Sequence, residues 1–259
     1  GYRSLYNNTT GSRNTAYGYQ SMYTNTTGNN NTASGYLSLR FNTTGDDNTA
    51  YGYYSLLSNT TGDDNTASGN YSLQSNTEGF SNTASGYYSL YSNTTGGTNT
   101  ASGSYSLRSN TEGNSNTASG YYSLYANTTG INNIAIGYRA CQNADEENDN
   151  LAIGYDALGG AIAGGEKNVA IGNYSLDAAT SGDNNTATGY DALTGTTTGA
   201  DNTALGYDAG DVLTTGSQNV IIGSGSDPSA NSGANQIVIG YGATGHGDNI
   251  AVIGNGSAT

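Results

Sequence analysis

The sequence predicts an all-β protein: a parallel β-roll, or β-solenoid, built from 17-residue repeats. Three observations predict it. The block NTASGYYSLYSNTTGGT, opening at Asn82, returns almost unchanged at Asn116 as NTASGYYSLYANTTGIN. The Asn that opens each block keeps register at Asn14, Asn31, Asn48, Asn65, Asn82, Asn99, Asn116, Asn133 and Asn150. After one step of 18 the spacing of 17 resumes from Asn168 through Asn185, Asn202, Asn219 and Gln236, and the last step, to Ile250, is 14. The residues that fill the block, Asn, Thr, Ser, Gly and Tyr, are poor helix formers, and its length suits two short strands and two turns. Self-similarity at a fixed period marks a solenoid, and a polar disordered chain would hold no such register.

Numbering the opening Asn as slot 1, each position has a reason. Slot 3 is Ala with few exceptions (Ala16, Ala33, Ala50, Ala67) and slot 5 is Gly from Gly18 to Gly240, so the inward face of the strand carries little volume. Slots 2 and 4 alternate with these and point away. Slot 9 is the large apolar position, with Met22, Leu39, Leu56, Leu73, Leu90, Leu107 and Leu124, and later Leu158, Leu176 and Leu193. Slot 15 is Gly at Gly28, Gly45, Gly62, Gly79, Gly96, Gly113 and Gly130. Both glycine columns read as corners, where the chain turns with positive φ or another backbone comes close. Stacked coils would place identical side chains about 4.8 Å apart, in ladders of Asn, Thr and Tyr.

Slots 2 and 4 divide the chain. Residues 1–130 are Asn/Thr/Tyr-rich polar repeats, with Thr32 and Ser34 or Thr49 and Tyr51 in these slots; residues 131–259 are N-x-A-I-G repeats with Ile134 and Ile136, Leu151 and Ile153, Val169 and Ile171, Val220 and Ile222, Ile237 and Ile239. A thin roll with so small a core is marginal by itself. Its outer apolar stripe wants another surface, which copies of the same chain around an axis would supply.

Composition narrows the functional classes. A net charge of −14 repels phosphate backbones and anionic lipid, so nucleic acid is not an expected partner, and no stretch approaches the length of a membrane span. The chain opens inside one repeat without Met and stops inside another, which reads as a segment of something longer. The single His246 lies in TGHGDN with no second His and no Cys beside it, so no nucleophile and base assemble; neither an enzyme nor a cofactor is expected. Cys141 occupies slot 9, the place of a small buried hydrophobe.

The segments NVAIGNYSLDAATSGDNNTATGYDAL and NNIAIGYRA resemble the head repeats of trimeric autotransporter adhesins. The first half, with NTASGYYSLYSNTTG, is similar to the N-T-A-x-G-Y-x-A-L-x-x-N-T-T-G repeats of phage tail-fibre and related bacterial surface proteins. Together the two patterns cover nearly the whole chain. The resemblance implies a left-handed β-roll in a homotrimeric fibre, on a cell or virion surface, that attaches to a host glycan or matrix receptor. The adhesin heads use a shorter repeat, matched here by the final step of 14, and neither a neck, stalk and anchor nor a tail-fibre chaperone is visible.

Slots 6 and 7 carry Tyr36, Tyr53, Tyr54, Tyr71, Tyr87, Tyr88, Tyr105, Tyr121 and Tyr122. Such an aromatic ladder stabilises stacked coils, and flat rings beside hydroxyls and amides also suit sugars. Slot 12 supplies N-x-[ST] sequons at Asn25, Asn42, Asn59, Asn93 and Asn127, candidate glycosylation sites in a sequon-reading host. Asp46, Asp47, Asp63 and Asp64 share one turn, and Asp145, Glu146, Glu147 and Asp149 another; a hard cation could bridge either, but a solvated turn is the simpler reading and no metal site is expected. The expected function is a structural and adhesive fibre presenting repeated weak sites. Its alternatives are an ice-binding β-solenoid, from the regular Thr of slot 2, and a purely structural extracellular filament.

Overall fold

The computed structural model describes residues 1–256, with fifteen three-residue strands and no helix among them. It forms two compact units, each a parallel β-solenoid. The first, Gly1–Asn132, holds β1 (Thr15–Tyr17), β2 (Thr32–Ser34), β3 (Thr49–Tyr51), β4 (Thr66–Ser68), β5 (Thr83–Ser85), β6 (Thr100–Ser102) and β7 (Thr117–Ser119). Each pairs in parallel with the next, Ala against Ala, as Ala33 does with Ala50. The second, from Asn133 on, holds β8 (Ile134–Ile136), β9 (Leu151–Ile153), β10 (Val169–Ile171), β11 (Thr186–Thr188), β12 (Thr203–Leu205), β13 (Val220–Ile222), β14 (Ile237–Ile239) and β15 (Ala251–Ile253), paired the same way. The irregular steps leave strand register intact. Val169 pairs with Leu151 across the step of 18 and Ile237 with Ala251 across the step of 14, so the turns absorb the difference.

Each coil has one strand where two were expected. The rest of the coil passes repeatedly through the left-handed region: φ is 57° at Leu37, 51° at Leu39 and 57° at Asp47, and the same slots 7, 9 and 17 repeat this in most coils. Such residues cannot lie in a β-ladder. Their amides still bond between coils, Tyr54 N to Tyr36 O at 3.0 Å, Leu56 N to Ser72 O at 3.0 Å and Asp64 N to Asp46 O at 3.1 Å. Nearly every side of the coil is therefore laced to its neighbours, although only slots 2 to 4 are strand.

Slots 3 and 9 form the apolar core: Ala33, Ala50, Leu39 and Leu56 are fully buried. The other half of the interior is polar. In the first unit slots 1 and 12 are buried asparagines, whereas slot 12 of the second unit is Ala144, Ala179, Thr196 or Leu213; in one coil both asparagines donate to the slot 15 carbonyl, Asn31 Nδ2 to Gly45 O at 2.7 Å and Asn42 Nδ2 to Gly45 O at 2.9 Å. Each also links coils. Asn48 N donates to Asn31 Oδ1 at 2.9 Å, and Asn42 Nδ2 to Asn25 Oδ1 at 2.8 Å. Buried amides bonded on both sides replace the missing apolar volume, because a buried polar group is tolerated when it is satisfied.

The two glycine columns have different causes. Gly35, in slot 5, has φ of 151°, and a Cβ there would overlap the Gly52 carbonyl of the next coil. Gly45, in slot 15, is not a positive-φ corner; a side chain there would strike Asn42 Oδ1 and the Gly62 carbonyl, so its hydrogen is what lets the asparagine ladder close. In the second unit the core exchanges volume between slots. Slot 9 falls to Gly210 while slot 3 of the next coil grows to Ile221, whose Cδ1 sits where a Gly210 side chain would go. Cys141 is buried in the slot 9 column, and burial, followed by the Glu147 charge, pushes its thiol up to about 12.

Candidate functional site

Three surfaces of the coil carry chemistry. The first is the outer face of the strands. Slots 2 and 4 flank a buried slot 3 in both units, as the alternation requires. In the first unit this face is Thr and Ser with Tyr17 and Tyr51, in register Thr66 to Thr83 and Ser68 to Ser85. In the second it is mostly apolar, with Thr186, Thr188 and Thr203 interrupting it, and open to solvent in the single chain: Ile134 and Ile136 are about two-fifths exposed, and Leu205 and Ile237 are comparably so.

The second is the turn of slots 16 and 17. Asp46 Oδ1 accepts from Asn29 N at 2.6 Å, and Asp63 Oδ1 accepts from Asp46 N at 2.7 Å. Slot 16 side chains thus cap the amide of the preceding coil, and Asn114 does the same for Gly97 N at 2.7 Å. In the loop at Asp145, Glu146 and Asp149 these three are exposed, as in the solvated turn expected, and Glu147 departs from it. Glu147, in slot 15, is buried, and its carboxylate accepts from three backbone amides, those of Asp145 (2.7 Å), Glu146 (3.1 Å) and Gly164 (2.8 Å). Among the described residues, no three His, Cys, Asp or Glu side chains converge as a metal site.

The third is the edge formed by slots 6, 7 and 10. In the first unit it is aromatic. Slot 6 rings stack at Tyr19–Tyr36 and Tyr36–Tyr53, both 5.2 Å between centroids, and slot 7 rings at Tyr54–Tyr71 (5.7 Å), Tyr71–Tyr88 (4.7 Å) and Tyr88–Tyr105 (5.7 Å). Tyr105 and Tyr122 continue the column, tilted, at 5.0 Å. Slot 6 rings are exposed and slot 7 rings half-buried beneath them. The Arg108 guanidinium lies 5.5 to 5.7 Å from the ring centroids of Tyr88, Tyr91 and Tyr125 and donates to Tyr125 Oη at 3.0 Å, filling the gap that slot 10 leaves. A hydrogen bond with Tyr54, then burial, pushes Tyr53 up to about 12, and burial raises Tyr87, so these phenols stay neutral donors.

In the second unit the same edge keeps slot 6 tyrosines, stacked at Tyr138–Tyr155 (5.0 Å) and Tyr190–Tyr207 (5.5 Å), and turns acidic in slots 7 and 10. Slot 7 becomes Asp156, Asp191 and Asp208, slot 10 becomes Asp177 and Asp211, and Asp227 joins them. Burial raises Asp177 and Asp191, and burial with the charge and hydrogen bond of Asp211 lifts Asp227 to about 6. Arg139 Nε meets Asp156 Oδ1 at 3.3 Å. This lane escaped the sequence reading because its members sit in different slots; a column-by-column reading of slots 7 and 10 would have exposed it.

The glycosylation reading does not fit the folded coil. Asn25, Asn42, Asn59, Asn93 and Asn127 are buried, with each Nδ2 given to a neighbouring Asn and a Gly carbonyl, as Asn93 gives its own to Asn76 (2.7 Å) and Gly96 (2.9 Å). No sugar fits on a nitrogen so placed. No protein-family model and no curated protein matches the chain.

Proposed function

We propose that the chain is part of an extracellular fibre, a homotrimer packed through the outer strand face, that holds a repeated adhesive surface away from its anchor. The observation that carries this reading is the run of apolar side chains in slots 2 and 4 of β8 to β10 and of β13 and β14, joined by Leu205 of β12 and interrupted by Thr186, Thr188 and Thr203, partly exposed in a single chain. Identical columns around an axis bury one another. The tyrosine edge lies outside that face and remains for a receptor. Many equivalent sites at coil spacing convert weak contacts into avidity. The native mass in solution tests it: light scattering should return three times 26.3 kDa. Ile136→Lys should lower that value, and a monomeric wild type refutes the trimer.

A second reading is favoured by the first unit, where Thr66, Thr83 and Thr100 with Ser68, Ser85 and Ser102 form an exposed, in-register hydroxyl sheet. That is the geometry of an ice-binding solenoid. Thermal hysteresis of the purified chain supports it; its absence, with cell or glycan binding retained, leaves the adhesive fibre.

A further inference from the structure

Slot 6 of the first unit reads Tyr19, Tyr36, Tyr53, Asn70, Tyr87, Ser104, Tyr121. Where tyrosines occupy successive coils their rings stack, Tyr36 on Tyr53 within 8° of parallel, and a stacked ring shows solvent its edge. Tyr87 has Asn70 and Ser104 as slot 6 neighbours, and it lies differently. Its plane is 82°, 80° and 89° from those of Tyr71, Tyr88 and Tyr105, at centroid distances of 6.1, 4.4 and 5.5 Å. Those three rings stack on one another at 4.7 and 5.7 Å, which leaves no gap for the edge of a fourth. One face of Tyr87 therefore rests on their edges, in the favoured edge-to-face arrangement, and the other looks outward, with the residue 43% exposed. Asn70 and Ser104 leave Tyr87 without a slot 6 ring stacked on it; the perpendicular setting itself also occurs at Tyr190, which stands 79° from Tyr174 while stacked on Tyr207.

We propose that Tyr87 is the platform of a binding subsite for an extended β-1,4-linked glycan, whose chain runs along the stack of coils with one sugar ring on the open face. The proposal deepens the adhesive reading above and rests on it. Coils about 4.8 Å apart advance by nearly one sugar per coil. Successive sugars in such a chain turn over, so the same face returns every second residue, two coils on. Tyr53 and Tyr121 stand two coils to either side of Tyr87. In the intervening coils Asn70 and Ser104 offer polar groups to the sugars that turn their other face. Asn70 Oδ1 is held by Tyr53 N at 2.9 Å, which orients the amide and leaves Nδ2 to donate. An α-1,4-glucan coils and cannot follow a straight lane.

The test is calorimetric titration of the full chain with cellohexaose and maltohexaose. Cellohexaose should bind at least tenfold more tightly than maltohexaose. Tyr87→Ala should weaken it about tenfold, the scale of one lost ring contact. Ser104→Tyr should weaken it as much although it adds an aromatic, because the new ring stacks on Tyr87 and takes up the space of the neighbouring sugar. Tyr36→Ala should change it less than twofold. Should Tyr87→Ala disturb the fold by circular dichroism, Ser104→Tyr carries the test, since it adds bulk only at the surface. Equal affinity for the two hexaoses, or tighter binding by Ser104→Tyr, overturns the proposal. Failure to bind cellohexaose while a glycan array shows other sugars bound overturns the subsite and leaves the adhesive reading; no glycan or cell binding at all overturns both.

Discussion

Asn59→Ala isolates what the polar half of the core contributes. Asn59 is fully buried; its Nδ2 donates to Asn42 Oδ1 (2.8 Å) and Gly62 O (2.9 Å), and its Oδ1 accepts from Asn76 Nδ2 (2.8 Å). The Gly62 carbonyl keeps a second donor, Asn48 Nδ2 at 2.8 Å. The Asn42 oxygen and one Asn76 N–H lose the partner they had. Each orphaned group costs about 1–3 kcal/mol, so the substitution should destabilise by roughly 3–5 kcal/mol. That equals the roughly 2–5 kcal/mol expected for Leu56→Ala in the apolar column of the same coil. Urea unfolding followed by circular dichroism measures both, with exposed Thr27→Ala as a control within about 0.5 kcal/mol of wild type. Asn59→Ala with Asn76→Ala should cost at least about 1 kcal/mol less than the sum of the singles, because the double variant removes both ends of one link. A loss below about 1 kcal/mol for Asn59→Ala, or strict additivity, would refute the ladder as a stabilising element.

Other outcomes follow from the same geometry. Thr98 is β-branched yet has φ of 58°, so Thr98→Asn, which tolerates that region, should raise stability by about 0.5–1 kcal/mol and the melting temperature with it. Asp227 has its pKa raised to about 6 in the fold, above its unfolded value, so the folded state binds the extra proton: stability should rise as pH falls from about 7 towards 4, by about 1 kcal/mol after screening, and Asp227→Asn should flatten that slope. Cys141, buried and with its thiol pushed up to about 12, should resist a thiol reagent at mildly alkaline pH until denaturant opens the coil.

The fold was legible because its strongest signal, register, is one-dimensional: a period of 17 with Ala in slot 3, Gly in slot 5 and Leu in slot 9 defines a coil without any knowledge of contacts. The left-handed residues were not legible. Leu39 and Tyr54 have no chemical preference for φ near 50° to 60°, and they adopt it because inter-coil hydrogen bonds outweigh the local cost. Nor was it legible that the ladder asparagines lie inside the coil: Asn42 read as a glycosylation sequon, although its amide and that of Asn31 are the interior. At the tyrosine edge the sequence located the columns. That Tyr87 has no slot 6 ring stacked on it depends on what is absent from the adjacent coils, at Asn70 and Ser104, and a reading of repeated residues passes over interruptions.

The turns that absorb a step of 18 or 14 without disturbing the pairing of Val169 with Leu151 or Ile237 with Ala251 also bear on how such a gene can change. Within each unit, hydrogen bonds run from a coil to the coil before and the coil after. Unequal recombination between two near-identical repeats adds or removes a whole coil in frame, and the coils on either side meet a partner like the one they had. Number of coils is thus a heritable quantity that can drift up or down in single units, each intermediate foldable, while a surface such as the Tyr87 interruption is copied or lost intact with the repeat that carries it.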